Sequence, residues 1–540
     1  MNVQRLLLFA GVVLLAAFFR LHQLDTIPPG LFIDEAQDGL DASAIQHGEH
    51  FPVYIEGGTV KGRSREPLFH YVMAGVFAAF GTTVTTIRLT SALIGIVTVA
   101  VFFLLCERLF GLRVAFIAAT LLAVCRWHVT FSRIGLRAIT LPLCIVLALV
   151  AFSALLRRRT APSALIFGAT LGLGLYSYPS YWIVPAALAV LLLMALWRER
   201  RVPVCSVAFV SVLAAGAFLV TAAPLIVYAM RKPDYYFARA VETADPLPEA
   251  DGSIFTVRDN LQRVLFMLHF RGDRQARHNL PGRPLLDPIM GVAFVIGLYV
   301  SLRTLPTDPP RKLGVLLFWL LPLLPSAVTS AAPHAMRSLG AVPAVCLISA
   351  MGISAVMDAA GRSAALRAAR FPSLLAVAVL AIVTAWNYDD YFREWGHDRV
   401  VAEEFSGDIP RFFSYCADLA KENDVYVCPY VYYSPNIQFL SLARQAPLKL
   451  IDSEAAFGTD GIAQRDRVFI CEEPAVNMLV EKLYPGSEKL GNYSTYGAHT
   501  GRMYRVRKEA LTRLSAAEQS EIRYFVGTMI ANFQVRSRKW

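Results

Sequence analysis

Two adjacent carboxylates, Asp34 and Glu35, follow the first apolar segment of the chain. The residues from about 6 to 19 are apolar and uncharged, and Arg20 and His22 come next. Ionisable groups close to a bilayer are costly and commonly mark chemistry. Asp34 and Glu35 are therefore the first candidates for catalytic residues. The alternative is a helix N-cap at the start of a helix on the membrane surface, and the two roles are compatible.

Cationic side chains gather in three further segments, one later in the same loop as Asp34 and two in other connections, which the topology below assigns to the same side of the membrane as Asp34. They are Arg63 and Arg65 with Lys61, Arg133 with Arg137, and His334 with Arg337. A guanidinium fork matches phosphate oxygens, and partial desolvation strengthens such bonds. Interfacial snorkelling or an ion pair with a loop carboxylate explains any single one of them. Together they predict an anionic ligand, and a lipid-linked phosphate fits.

The composition identifies the class of protein. Of the 540 residues, 55% are hydrophobic and 17% are charged. Apolar runs of about 15 to 25 residues match the length that crosses a bilayer. The sequence therefore predicts a polytopic α-helical membrane protein with about eleven spans. The predicted spans are residues 6–24, 87–106, 114–131, 138–156, 163–178, 182–197, 203–229, 288–302, 313–331, 338–357 and 371–388.

Basic residues collect in alternate loops, for example at Arg157, Arg158 and Arg159. By the positive-inside rule these loops are cytoplasmic. The N-terminus is then inside, and the Asp34 loop and the C-terminal region are outside. The apolar segment 67–81 is short for a crossing, so we expect a helix at the outer interface. Because the net charge of +11 follows this loop pattern, no nucleic-acid partner is expected.

The spans divide the chain into two domains. Residues 1–388 form a transmembrane domain, with predicted outer loops at 22–86 and 231–287. Residues 389–540 read as a small extracytoplasmic α/β domain ending in a helix, because short apolar strands alternate there with amphipathic helices. The predicted strands lie at 424–428, 448–451 and 467–470, and the predicted helices at 410–423, 474–484 and 511–533.

Two tyrosines, Tyr176 and Tyr178, stand in a Tyr-Ser-Tyr-Pro-Ser stretch that also reaches the predicted outer face. An aromatic belt at the interface is the structural explanation. A wall for a sugar ring, or a hydroxyl donor to phosphate, is the functional one, and it suits Tyr178 better.

Five motifs, in this order, resemble those of the bacterial glycosyltransferases related to the protein O-mannosyltransferases and lipid A aminoarabinose transferase, which are GT-C-type membrane enzymes. The resemblance covers roughly residues 1–360, while the C-terminal region carries no assignable motif. The motifs are Asp34-Glu35, Arg65-Glu-Pro-Leu-Phe-His-Tyr71, Ser132-Arg-Ile-Gly-Leu-Arg-Ala138, Tyr176-Ser-Tyr-Pro-Ser180 and His334-Ala-Met-Arg-Ser-Leu-Gly340.

The resemblance implies sugar transfer from a polyprenyl-phosphate carrier to a glycan, lipid or protein acceptor at the outer face of the bacterial cytoplasmic membrane. Asp34 matches the position of the base in an inverting displacement, and Glu35 would orient it or help bind a metal or substrate. The candidates for binding the donor phosphate are Arg63, Arg65, Arg133, Arg137, His334 and Arg337. The candidates for binding substrate are Glu66, His70, Tyr176 and Tyr178.

No cofactor is firmly expected. The chain has no Cys-x-x-Cys, His-Glu-x-x-His or Gly-x-x-x-x-Gly-Lys motif, which disfavours soluble redox, zinc-protease and P-loop chemistry. It also has no obvious cluster of several acidic ligands, so a tightly held metal is not expected. An oxygen-rich loop containing Asp34 and Glu35 could recruit magnesium or manganese weakly.

Two other classes of function compete with transfer. A transporter or flippase for lipid-linked sugars needs polar residues deep in the helices, near the bilayer midplane. In this chain they concentrate at the predicted outer ends of the spans, which favours chemistry at the surface. A scaffold protein would instead rely on its C-terminal domain.

Overall fold

The structure is a computed structural model that describes most of the chain. The described residues are 3–57, 63–198, 204–244, 257–306, 309–329, 332–363, 365, 371–428, 431, 434–458, 463–471, 474–495 and 499–537. Lys61 lies outside them. Two compact units emerge. One contains residues 1–27, 45–76 and 87–398, and the other contains 28–44, 77–86 and 399–540.

The first unit is a helical bundle. Within the described residues, six helical segments are long and apolar enough to cross a membrane: Val3–Leu21, Val84–Phe110, Arg137–Arg158, Ala208–Arg231, Leu339–Ala360 and Phe371–His397. Shorter apolar helices accompany them at Leu68–Phe80, Leu112–Val124, Ala161–Gly174, Pro179–Met194 and Pro288–Arg303. The chain is therefore a multi-pass membrane protein, and the count of eleven spans stays a prediction.

Two of the predicted continuous spans are interrupted. The span predicted at 114–131 consists of helices Leu112–Val124 and Arg126–Phe131, which meet at Cys125 with φ −52° and ψ 114°. The amide of Arg126 donates to Asn387 Oδ1 at 2.8 Å instead of continuing the first helix. The span predicted at 313–331 breaks into Pro309–Leu320, Leu321–Leu323 and Leu324–Ala327, where prolines remove backbone donors.

Arg20 compensates for the break at Cys125. A helix end leaves carbonyl groups without intrahelical partners, and inside a membrane no water replaces them. Arg20 is fully buried. Its guanidinium donates to the carbonyls of Ala123 at 2.8 Å and Leu122 at 3.3 Å, and Nη2 lies 2.7 Å from His128 Nδ1. The first helix is thereby fixed to the broken one.

Helices Pro288–Arg303 and Val342–Ala360 approach closely because glycines face each other. A Cβ atom at Gly297 would overlap the carbonyl of Ile348, and one at Gly352 would overlap the carbonyl of Ala293. Small residues allow membrane helices to pack backbone against backbone, where dispersion contacts replace the missing hydrophobic drive. Gly168 and Gly172 similarly admit helix Val204–Arg231 against Ala161–Gly174.

The second unit contains a five-stranded sheet. Its strands are β1 (Asp424–Val427), β2 (Lys449–Leu450), β3 (Arg467–Cys471), β4 (Glu488–Thr495) and β5 (His499–Val506). Their order is β2-β1-β3-β5-β4, with the first three strands parallel and the β3–β5–β4 pairs antiparallel. Helices of this unit include Ile409–Glu422, Pro435–Arg444, Pro474–Leu483 and Ala516–Ser537.

The glycine crossing can be tested by overpacking. Gly352→Leu should lower the melting temperature of the purified protein in detergent, since added side-chain volume at a tight contact costs about 1–3 kcal/mol or more. Gly216→Leu is the matched control, because a Cβ there meets nothing within 4 Å. Equal melting temperatures for the two variants would refute the close crossing.

Candidate active site

The carboxylate pair begins helix Ile33–Gln46, and its two members have different environments. Glu35 is fully buried, and its Oε2 accepts the backbone N–H of Phe32 at 3.1 Å. Asp34 is exposed. The capping role considered for the pair is therefore carried by Glu35, while the carboxylate of Asp34 is accessible to an acceptor.

The turn before Asp34 is held by the C-terminal region within the same compact unit. Gly30 adopts φ +79°, and a Cβ there would overlap the carbonyl of Phe405. Asn436, which is 3% exposed, donates from Nδ2 to the carbonyl of Leu31 at 2.6 Å. The rings of Phe32 and Phe405 pack edge to face. The position of Asp34 thus depends on residues about 400 positions later.

Arg137 is held between a carboxylate and an aromatic ring. Its Nε lies 3.1 Å from Oε2 of Glu66, whose side chain is only 4% exposed. The guanidinium carbon lies 5.6 Å from the centre of the Tyr178 ring. The ion pair with Glu66 uses the Nε of Arg137 and fixes the direction of its fork. Three predicted site residues therefore meet, with Glu66 as a positioning partner.

The loop that carries His334 and Arg337 is fixed through its backbone. The amide of Ala335 donates to Asp273 Oδ2 at 2.8 Å, and the Ala335 carbonyl accepts Trp127 Nε1 at 3.1 Å. Ser180 Oγ donates to the carbonyl of Arg337 at 3.1 Å. The side chain of Arg337 is left available: its buried Nη1 has no hydrogen-bond partner among the described residues.

Positive charge accumulates around this loop. Burial lowers the pKa of Arg337, and Arg239 and Arg277 lower it further, while Tyr178 and Asp273 act in the opposite direction. Burial also lowers the pKa of His334 well below its ordinary value, with His278 and these arginines adding to the effect. His334 is therefore neutral near pH 7, and the charge for an anion comes from the guanidinium groups.

Arg133 has a different set of partners from those predicted. It is fully buried and donates to the carbonyls of Phe19, Gln23 and Ile27 at 3.0–3.1 Å. Its Nε also donates to the hydroxyl of Tyr391 at 3.2 Å. All three guanidinium nitrogens are thus occupied, Nη1 and Nη2 by carbonyls at and beyond the end of the first helix and Nε by Tyr391, which favours a bracing role over phosphate binding.

The remaining predicted residues surround the Glu66 segment. Arg63 is exposed, Arg65 is half-buried and donates to the carbonyl of Arg63 at 3.3 Å, and His70 is fully buried. The Tyr176 hydroxyl donates to the carbonyl of Thr221 at 3.0 Å, and the Tyr176 carbonyl accepts the amide of Leu68 at 3.1 Å. Tyr176 therefore supports the Glu66 segment from the neighbouring helices.

An aromatic cluster was missed by the sequence analysis. The ring of Tyr54 lies 5.1 Å from the rings of both Tyr228 and Tyr236. Burial raises the pKa of Tyr54, and the charge of Glu66 raises it further. Lys232 pairs with Glu56 at 2.6 Å in the same region. The adjacent tyrosines at 235–236, in a predicted loop, were the sequence feature that could have indicated this cluster.

A second missed group is Asp273 with His278. Together with His334 they offer possible metal ligand atoms within 4.8 Å of one another. Such a nitrogen-rich set suits zinc better than magnesium or manganese. However, Asp273 Oδ2 already binds His278 Nδ1 at 2.8 Å, and Arg277 donates to His278 Nε2 at 3.2 Å. The nearby arginines also oppose a dication, so the group reads best as a hydrogen-bonded support for the His334 loop.

Comparison with known proteins agrees with the motif resemblance. Residues 64–228 match the family model described as dolichyl-phosphate-mannose-protein mannosyltransferase. No curated protein sequence matches the chain.

The fold is shared with solved membrane glycosyltransferases. The structure of ArnT from Cupriavidus metallidurans bound to undecaprenyl phosphate matches with a TM-score of 0.56 at 12% identity, covering 95% of this chain and 99% of that one. The oligosaccharyltransferase AglB from Archaeoglobus fulgidus, in complex with an inhibitory peptide and a dolichol-phosphate, matches with a TM-score of 0.52 at 14% identity, covering 97% and 78%. The resemblance to GT-C-type enzymes is confirmed, and the fold is of that type.

Replacing Arg133 separates bracing from phosphate binding. Arg133→Met should lower the melting temperature in detergent strongly, because three backbone carbonyls lose partners at about 1–3 kcal/mol each. Arg113→Met, which breaks only an exposed pair with Asp358, should change stability little. An Arg133→Met protein that melts like the parent but no longer binds undecaprenyl phosphate would restore the phosphate role.

Proposed function

We propose that this protein is an inverting glycosyltransferase that moves a sugar from a polyprenyl-phosphate carrier to an acceptor. The reaction takes place at the outer face of the bacterial cytoplasmic membrane. The observation that carries the proposal is Arg337, whose buried Nη1 has no partner among the described residues while the charges of Arg239 and Arg277 reach it. Burying a guanidinium group next to other positive charges costs free energy unless an anion binds and pairs with it. The matching family model is that of a dolichyl-phosphate-mannose-dependent enzyme, and the two similar structures contain undecaprenyl phosphate and dolichol-phosphate, so both support a lipid-phosphate ligand.

The proposed reaction is a single displacement. The acceptor hydroxyl attacks the anomeric carbon from the face opposite the phosphate, and its proton passes to the Asp34 carboxylate. The bond between the anomeric carbon and the phosphate oxygen breaks, and the carrier phosphate leaves with the electron pair. Inversion follows from the single displacement.

The chain's residues divide this work. Arg337 and Arg137 stabilise the negative charge that develops on the leaving phosphate, which is commonly the largest catalytic contribution. Asp34 supplies base catalysis worth about 10²–10⁴-fold. Glu35 fixes the start of the helix that bears Asp34. The rings of Tyr54, Tyr178 and Tyr236 are suited to line a sugar site, because aromatic faces pack against apolar faces of ligands.

The proposed topology keeps the predicted eleven spans, with the N-terminus inside and the Asp34 loop and the C-terminal domain outside. It rests on the distribution of basic loops. Of the two residues predicted to hold a weakly bound magnesium or manganese ion, Asp34 is exposed and could supply a ligand, whereas the Glu35 carboxylate is buried and bonded to the amide of Phe32. The transporter alternative gains no support from the family match or from these structural neighbours.

The role of Asp34 as the base is tested by complementation of cells from which the gene for this protein has been deleted. Mass spectrometry of their surface glycans should show which sugar is missing and where it was attached, and the parent protein should restore it. Asp34→Asn should fail to restore it although the protein accumulates normally, since an amide cannot accept the proton. Glu49→Gln, which changes an exposed acid of the same predicted loop, should restore it fully. Full restoration by Asp34→Asn would eliminate Asp34 as the base.

The phosphate role is tested by binding. Arg337→Gln should weaken affinity for undecaprenyl phosphate about 10-fold or more, which corresponds to the loss of a charged hydrogen bond worth about 1.5–3 kcal/mol. Arg303→Gln, at the exposed end of helix Pro288–Arg303, should leave affinity unchanged. An identical affinity for the parent and Arg337→Gln argues against this site.

A further inference from the structure

A second feature lies inside the helical bundle, apart from the residues assigned to transfer. It is a chamber of about 370 Å³ between helices Val84–Phe110, Thr140–Arg158, Ile183–Arg198, Pro309–Leu320 and Val342–Ala360. Its walls are mostly apolar and include Phe102, Ile145, Phe152, Leu191, Phe318 and Leu347. Protein interiors rarely keep apolar voids of this size. In a membrane, the hydrocarbon chain of a lipid can occupy this apolar chamber.

Three arginines line the chamber at the ends of their helices. Arg108 stands in the last turn of Val84–Phe110, Arg157 in the last turn of Thr140–Arg158, and Arg311 near the start of Pro309–Leu320. No acidic side chain of the described residues lines it. The neighbouring acid Glu107 is already paired with Arg5 at 2.7 Å. The charge is therefore complementary to an anionic head group.

The arginine end of the chamber is remote from the proposed donor site, while its other end includes Gly340 of the His334 motif. Segment Arg137–Arg158 carries Arg137 at one end and Arg157 at the other. With a rise of 1.5 Å per residue, about 30 Å separates the two ends. Because Arg157 belongs to the loops that the positive-inside rule assigns to the cytoplasm, the chamber opens toward the inner leaflet. Basic pockets between helices on that side suit anionic phospholipids.

We propose that this arginine-lined chamber binds one anionic phospholipid of the inner leaflet. One acyl chain fills the apolar chamber, and the phosphate group lies among Arg108, Arg157 and Arg311. The lipid is a resident part of the bundle. Diacyl phospholipid is favoured over the polyprenyl carrier because the carrier's reactive phosphate is used at the opposite end of the same helix.

Native mass spectrometry of the full-length protein, released from nanodiscs containing phosphatidylglycerol and phosphatidylcholine, tests the proposal. The parent should retain one phosphatidylglycerol in preference to phosphatidylcholine. The double variant Arg157→Gln/Arg311→Gln should reduce that retention about 10-fold or more, consistent with the loss of charged hydrogen bonds. Arg158→Gln/Arg303→Gln, which removes two basic residues that do not line the chamber, should retain phosphatidylglycerol like the parent.

A third variant tests the chamber independently of charge. A Cβ at Gly314 meets only Leu191 Cδ1 at 3.6 Å, so Gly314→Phe can place its ring in the chamber and should displace the lipid with all three arginines intact. Three outcomes would overturn the proposal: equal retention of the two phospholipids, unchanged retention by both the Arg157→Gln/Arg311→Gln and Gly314→Phe proteins, or displacement of phosphatidylglycerol by added undecaprenyl phosphate. Binding of undecaprenyl phosphate at Arg337 is measured separately, so failure here leaves the proposed transfer reaction intact.

Discussion

Backbone polar groups inside a membrane need partners from the protein itself, because the hydrocarbon supplies none. That constraint governs the stretch from Cys125 to Ile139, where the chain leaves one helix and reaches the next. Arg20 takes the carbonyls at the end of the first of these helices, and Arg133 takes carbonyls beyond the end of the N-terminal helix. Each arginine thus binds backbone carbonyls of the region that carries the other: Arg20 binds the end of helix Leu112–Val124, and Arg133 binds the end of the N-terminal helix and the turn after it. Arg137 can be presented to a ligand because the residues around it are already fixed.

The same constraint explains why a row of arginines in sequence does not act as one site. Arg133 and Arg137 are four residues apart in a single motif, yet one binds backbone carbonyls and the other binds a carboxylate. Arg337 differs from both, because its Nη1 is left without a partner among the described residues. Charge type and spacing indicate where cations lie. The competing partners decide which of them can bind a ligand.

Much of the architecture could be read from the sequence. Apolar run length predicted the membrane helices, and the strands predicted at 424–428 and 467–470 coincide with β1 and β3. The interruption at Cys125 could not be read, because it depends on Asn387, 261 positions away. Strands β4 and β5 were missed because their polar, glycine-containing sequences lack a clear apolar alternation. In the site, the motif residues Glu66, Arg137 and Tyr178 were identified, whereas Tyr54, Asp273 and His278 contribute through contacts that no local pattern encodes.

The hydrogen bond from Asn436 to Leu31 has a consequence for biosynthesis. It joins residues 405 positions apart, so the turn before Asp34 lacks this partner until Asn436 has been translated. At about 5–20 residues per second, that interval lasts on the order of 20–80 s. During this time the early helices can already be inserted into the bilayer, but the turn before Asp34 still lacks its hydrogen bond to Asn436. The order of synthesis therefore delays assembly of this segment until Asn436 has been made.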